Sequence, residues 1–158
     1  MKLKGISLYE PYASLMATGA KRFETRSWKT AYRGPVLICA AQWCIQSEIL
    51  YRLQLPIYQG GLAPLVGKPL DFSGKASYGL GLKDLQFGKA LLLARLVNCI
   101  PTITMTREQV GTDWPYGDFT PGRYAWDLVV IKRFAKPFRY RGRQGLFDAE
   151  IPDPIFKS

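Results

Sequence analysis

The sequence predicts an α+β fold in which a curved or closed sheet, a small barrel, carries peripheral helices. Three observations predict it: several apolar segments of strand length, two segments with apolar residues at helical spacing, and long connections rich in glycine and proline. Ile6-Ser7-Leu8 is a short strand. Glu10-Pro11 opens a helix, because proline suits a first helical turn; Tyr12, Leu15 and Met16 recur at helical spacing before a stop at Gly19. Phe23 to Trp28 alternates and reads as extended. Gly34-Pro35 marks a turn before a buried strand, Val36 to Ala40. Gln42 to Leu53 is a second helix, with Ile45, Ile49, Leu50 and Leu53 on one side. Gly60 to Gly88 holds seven glycines and two prolines, which predicts a long irregular insertion, a lid or a surface excursion. Ala90 to Ile100 is the clearest strand. Leu91, Leu93, Arg95 and Val97 face one way, Leu92, Ala94, Leu96 and Asn98 the other, and Pro101 ends it. Thr106 to Gln109 forms a helical turn, and Trp114 to Gly122 is turn-rich. Arg123 to Phe134 is a second long strand that Pro137 breaks, and Gln144 to Ala149 returns as the last one.

A chain of 158 residues makes one domain, taken here as 1–158. Its length allows burial of roughly 68–70% of the unfolded surface. With 47% hydrophobic and 13% aromatic residues, it builds a core without disulfides or metal. Histidine is absent, which removes Ser-His, Cys-His and His-metal chemistry together. The cysteines, Cys39, Cys44 and Cys99, form no C-x-x-C pair, which argues against zinc. Cys39 and Cys99 end apolar runs and read as buried small hydrophobes, in keeping with a reducing, cytoplasmic setting. The first residues lack the apolar stretch of a signal peptide. Ala90 to Ile100, interrupted by Arg95, is too short to span a bilayer, so no membrane partner is expected. With no P-loop, no dinucleotide fingerprint and no acidic cluster for a two-metal site, neither metal nor cofactor is expected.

The net charge is +10, and two segments carry all of it. Lys21, Arg22, Arg26, Lys29 and Arg33 face only Glu24, and Lys132, Arg133, Lys136, Arg139, Arg141 and Arg143 face no acid. If the fold joins these segments, they make one positive surface suited to phosphate backbones; otherwise they are two unrelated solvated faces.

Three constellations carry candidate chemistry. In the first, Gly19 to Trp28, an extended chain places Arg22, Glu24 and Arg26 on one face, with Lys21, Phe23, Thr25 and Ser27 on the other. A tighter turn sets Lys21 beside Glu24. That pair can serve as base or nucleophile in a partly dry cleft, or Glu24 can hold a nucleobase amino group. The alternative is an ion-pair ladder on a sheet surface. In the second, Trp114 to Trp126, Trp114 and Phe119 are the candidates for stacking on bases, while Tyr124 and Trp126 read as core. In the third, Arg139 to Phe147, the arginines offer forks for phosphate, two glycines allow close backbone approach, and Gln144 can read a base edge. A basic turn exposed to water explains it equally well.

Taken together, these motifs resemble the ASCH domain (activating signal cointegrator homology), of the small bacterial and phage type. The resemblance is carried by Ile6-Ser7-Leu8-x-x-Pro11-Tyr12-Ala13-Ser14-Leu15, Gly19-x-Lys21-x-x-Glu24-x-Arg26-Ser27-Trp28 and Arg33-Gly34-Pro35. Gly117-Asp118-Phe119-x-Pro121-Gly122-Arg123-Tyr124-Ala125-Trp126 and Arg141-Gly142-Arg143-Gln144-Gly145-Leu146-Phe147 extend it. It implies a PUA-like β-barrel with a cleft between the first helix and the barrel wall, and a nucleic acid (RNA or DNA) or a nucleoside as partner. On that reading Arg26, Trp28, Arg123, Arg141, Arg143 and Gln144 contact nucleic acid, and the cleft takes a base or nucleotide. One branch of the family hydrolyses N4-acetylcytidine without metal, using a lysine, a threonine and a distant glutamate. The resemblance therefore implies an alternative, an amidohydrolase with Lys21 and Glu24 as catalytic residues. Lys21 matches that lysine. Glu24 stands at the threonine position, Thr25 is one place away, and neither Glu48 nor Glu108 matches the glutamate.

Overall fold

The computed structural model describes residues 1–66 and 80–153. Its elements run β1 (Lys2–Leu8), α1 (Tyr12–Thr18), β2 (Phe23–Arg26), β3 (Gly34–Ala40), α2 (Gln46–Leu53), α3 (Pro56–Val66), β4 (Lys89–Pro101), α4 (Arg107–Val110), β5 (Tyr124–Arg139) and β6 (Phe147–Glu150). The strands form one sheet in the order β2-β5-β4-β3-β1-β6. β1 and β3 pair in parallel, with Ser7 opposite Cys39 and Leu8 opposite Ala40. The other pairings are antiparallel. No helix among the described residues is long and apolar enough to cross a membrane.

The sheet is covered on both sides. One face packs Ile6, Leu8, Val36, Ile38, Leu92, Leu96 and Trp126 against Ala13 and Met16 of α1. The other gathers Leu3, Leu37, Cys39, Leu93, Phe134, Phe147 and Ile151. Central β3, covered by both layers, therefore reads as a nearly continuous apolar run. α1 starts after Pro11 and stops at Gly19, whose φ of 89° lies in the left-handed region glycine tolerates best. Buried Glu10 ties its first turn, accepting from Ser14 N–H at 2.8 Å and, across the chain, from Gln86 N–H at 2.8 Å.

The α+β class holds, but the sheet does not close into a barrel. β2 pairs only with β5, and β6 reaches only residues 2–5 of β1. The seam between β2 and the C-terminal half of β1 is crossed by a side chain instead: Arg26 Nη2 donates to Ser7 O at 2.9 Å.

Three element boundaries also differ from expectation. Pro137 does not break β5, because the β4–β5 register slips between Ala90 and Leu92, opposite Phe138 and Arg133, and the proline sits within that irregularity. The second helix begins at Gln46 rather than Gln42, leaving Trp43 outside it. The glycine-rich stretch opens in helix: α3 runs to Val66, and at Gly61 any Cβ would press within 2.5 Å of Leu15 Cδ2 and 2.7 Å of Tyr116 Oη. Glycine there lets α3 lie tightly on α1. Residues 67–79 of the expected insertion lie outside the described residues. Cys39 is buried as expected, whereas Cys99 is only partly covered.

Candidate functional site

A cavity of about 1330 Å3 occupies the open seam, bounded by Ser7 of β1, Tyr12 of α1, Glu24 and Arg26 of β2, and the Arg139–Gly145 segment. Lys21 lies at its inner end and is only 3% exposed. Its Nζ donates to Phe23 O at 2.6 Å and to Tyr116 O at 2.9 Å, and stands 3.6 Å from Glu24 Oε2. Two N–H bonds of the ammonium thus meet backbone carbonyls, and the carboxylate faces it as an ion-pair partner. Glu24's other oxygen lies 3.3 Å from Arg26 Nε, so the carboxylate is clasped between two cations. Glu24 and Arg26 share a face because two residues separate like-facing positions on a strand. Thr25 is buried, and its hydroxyl accepts from Asp118 N–H at 3.0 Å.

The turn that puts Lys21 beside Glu24 is fixed by Asp113, which sequence reasoning missed. Asp113 Oδ2 accepts from the N–H groups of Arg22 and Phe23 at 3.0 and 2.7 Å. Burial pushes its carboxyl above the ordinary range, against the lowering pull of these N–H groups and Lys21. An acid raised on folding stabilises most when protonated, and that contribution is lost as pH rises through its folded value. Asp113→Asn keeps an acceptor and removes the titration. The variant's stability relative to wild type is therefore expected to improve as pH rises from acid to neutral. Denaturant melts across that range check it, and a pH-independent difference contradicts it.

The opposite wall is basic. Arg139, Arg141 and Arg143, from the second basic segment, line the same cavity as Lys21 and Arg26, from the first. Six cations, counting Arg123, therefore face two carboxylates, Glu24 and Asp118. Both carboxylates are engaged, Asp118 lying 3.5 Å from Arg123. Arg139, Arg141 and Arg143 make no salt bridge among the described residues; Asp148 is paired with Lys4 at 2.6 Å and feels Arg143 only weakly. Backbone bonds hold this wall in place: Gly88 N–H donates to Ala40 O at 3.0 Å and Tyr140 N–H to Gly88 O at 3.1 Å. Gly142 then passes so close to Ser7 that a Cβ would overlap the Ser7 hydroxyl.

The residues to which the family resemblance assigns a catalytic or binding role line this one cavity: Lys21, Glu24, Arg26, Trp28, Arg123, Arg141, Arg143 and Gln144. Arg22 does not, being turned outward onto Asp127 with contacts of 2.5 and 3.0 Å. Trp28 stands edge-on to buried Trp126 at 4.7 Å, and Arg123 Nη2 is spent on Thr25 O at 3.2 Å. The expected stacking pair, Trp114 and Phe119, is stacked on itself at 4.9 Å and 11° and does not line this cavity. Instead the cleft aromatics include Tyr9 and Trp43, both exposed. Trp43 was hidden from sequence reasoning by an apolar pattern that seemed to extend the helix back to Gln42. Glu48 and Glu108 lie on α2 and α4 and do not line the cleft.

An open mixed sheet of PUA-like type, with helices beside it and a basic cleft at its seam, defines the class of domain. The chain belongs to the ASCH domain family, which it matches over residues 6–138. No curated protein shows significant similarity to it. The family is compatible with RNA binding.

Proposed function

We propose that the protein binds nucleic acid, receiving a base or nucleotide in the cleft and holding the adjoining phosphates on Arg141 and Arg143. The convergence of two distant basic segments on one cavity carries this reading, because guanidiniums gathered there suit phosphate. Glu24, fixed as an acceptor by Lys21 and Arg26, suits the amino edge of a base, and Gln144 suits a mixed edge.

The double change Arg141→Ala and Arg143→Ala is expected to weaken binding of RNA or DNA and to flatten its salt dependence. The log–log slope should fall by roughly 0.7 for each single-strand phosphate that is no longer neutralised. Fluorescence anisotropy over a salt series measures it, and an unchanged slope removes the pair from the interface.

The amidohydrolase alternative draws on the Lys21–Glu24 approach of 3.6 Å inside the cleft. It is the weaker reading, because Lys21 donates to two backbone carbonyls and is ion-paired with Glu24. Release of acetate from N4-acetylcytidine, abolished by Lys21→Ala, would establish it in place of simple binding.

A further inference from the structure

We infer that the cleft continues onto a base-stacking platform made by Tyr9 and Trp43, so that its partner is a single-stranded polynucleotide rather than a free nucleoside. The inference rests on the nucleic-acid reading above and names the partner's form. Tyr9 is 58% and Trp43 62% exposed, yet the rings sit together, 5.8 Å apart and inclined at 63°. An edge-to-face pair leaves ring faces open, and large aromatics left in water gain most from a flat apolar partner. The other aromatics of the cleft are engaged by the protein to a greater degree: Trp28, 38% exposed, stands edge-on to Trp126, Tyr12 meets the Tyr58 hydroxyl, Tyr116 donates to Ile57 O, and Tyr140 stacks on Phe147 and accepts from Glu150 N–H.

The platform is also built where a strand would pass. Tyr9 and Trp43 follow the C-terminal ends of β1 and β3, which are parallel neighbours, and Ala41 N–H donates to Leu8 O at 2.8 Å to hold the two exits together. The Gly88 bridge from Ala40 to Tyr140 brings the arginine wall to those same strand ends. A chain of phosphates along Arg139, Arg141 and Arg143 would therefore carry bases past both the inner acceptor Glu24 and the outer rings. The cavity of about 1330 Å3 exceeds what one nucleotide fills, ordinary small-ligand pockets being about 300–1,000 Å3. Stacking on Trp43 needs a base released from pairing, which favours a single strand over a duplex.

The test uses the full chain and a fluorescein-labelled single-stranded hexanucleotide, as RNA and as DNA, with a nucleoside monophosphate as competitor. Trp43→Ala and Tyr9→Ala should each raise the hexanucleotide Kd about tenfold, with the salt slope and the monophosphate affinity unchanged. Trp43→Phe should restore most of the loss. The two oligonucleotide arms read whether the 2′-hydroxyl contributes. If Trp43→Ala stays within about twofold of wild type while the arginine variant still binds weakly, the platform is refuted and the cleft reading stands. Equal binding of a duplex refutes the single-strand assignment. No hexanucleotide binding by wild type refutes both.

Discussion

Lys21→Met is expected to destabilise the protein by about 3 kcal/mol, since losing one member of a buried charge network strands the others. The substitution leaves the Phe23 and Tyr116 carbonyls without their donor and Glu24 with Arg26 alone. At this chain length each kcal/mol moves the melting temperature by about 2–4 °C, so a fall of about 6–12 °C is the expected readout. Lys21 links the turn after α1, β2 and the Tyr116 loop, so nucleic-acid affinity should fall with it. Calorimetry of the variant checks the first effect. A change below about 1 kcal/mol would mean the network contributes little to stability.

Gly142→Val is expected to displace the basic loop and cost both affinity and stability. Its Cβ would overlap the Ser7 hydroxyl, approach Ser7 Cβ at 3.3 Å and Cys39 Cβ at 3.7 Å, and the extra methyls would press further into that packing. Overpacking of this kind costs about 1–3 kcal/mol, and moving Arg141 and Arg143 off the cleft should weaken binding about tenfold. The paired change Ser7→Gly with Gly142→Ala removes the collision and should restore binding. Failure of that rescue, or unchanged binding by Gly142→Val, would show that the loop is not held by this approach.

The legible part of this fold was what periodicity encodes. β3 and β4 are covered along most of their length, and their apolar runs announce them. α1 is bracketed by Pro11 and Gly19, and the Lys21–Glu24–Arg26 spacing already places two of three charges on one face. What escaped depends on contacts between distant segments. Closure of the sheet turns on whether β2 meets β1, and nothing local says that Arg26 fills that gap. Asp113 is a lone acid in a turn-rich stretch until its two N–H donors are seen, 91 and 90 residues earlier in the chain. Trp114 and Phe119 looked available because sequence shows two aromatics on a loop and not that they stack on each other. Trp43 was concealed for the opposite reason. Its neighbours Ile45 and Ile49 suggested a helix already begun, whereas α2 starts only at Gln46 and leaves the ring at the cleft.

The central claim is that nucleic acid lies in the seam between β2 and β1, against the Arg139–Gly145 wall. Photo-crosslinking a thiouridine-bearing single-stranded RNA to the protein, with adducted peptides identified by mass spectrometry, tests it most directly. Adducts on Tyr9, Trp28, Trp43 or the segment from Arg139 to Gly145 are the predicted result. Adducts confined to the outer sheet surface around Val97 and Ile131, or none at low salt, would contradict it.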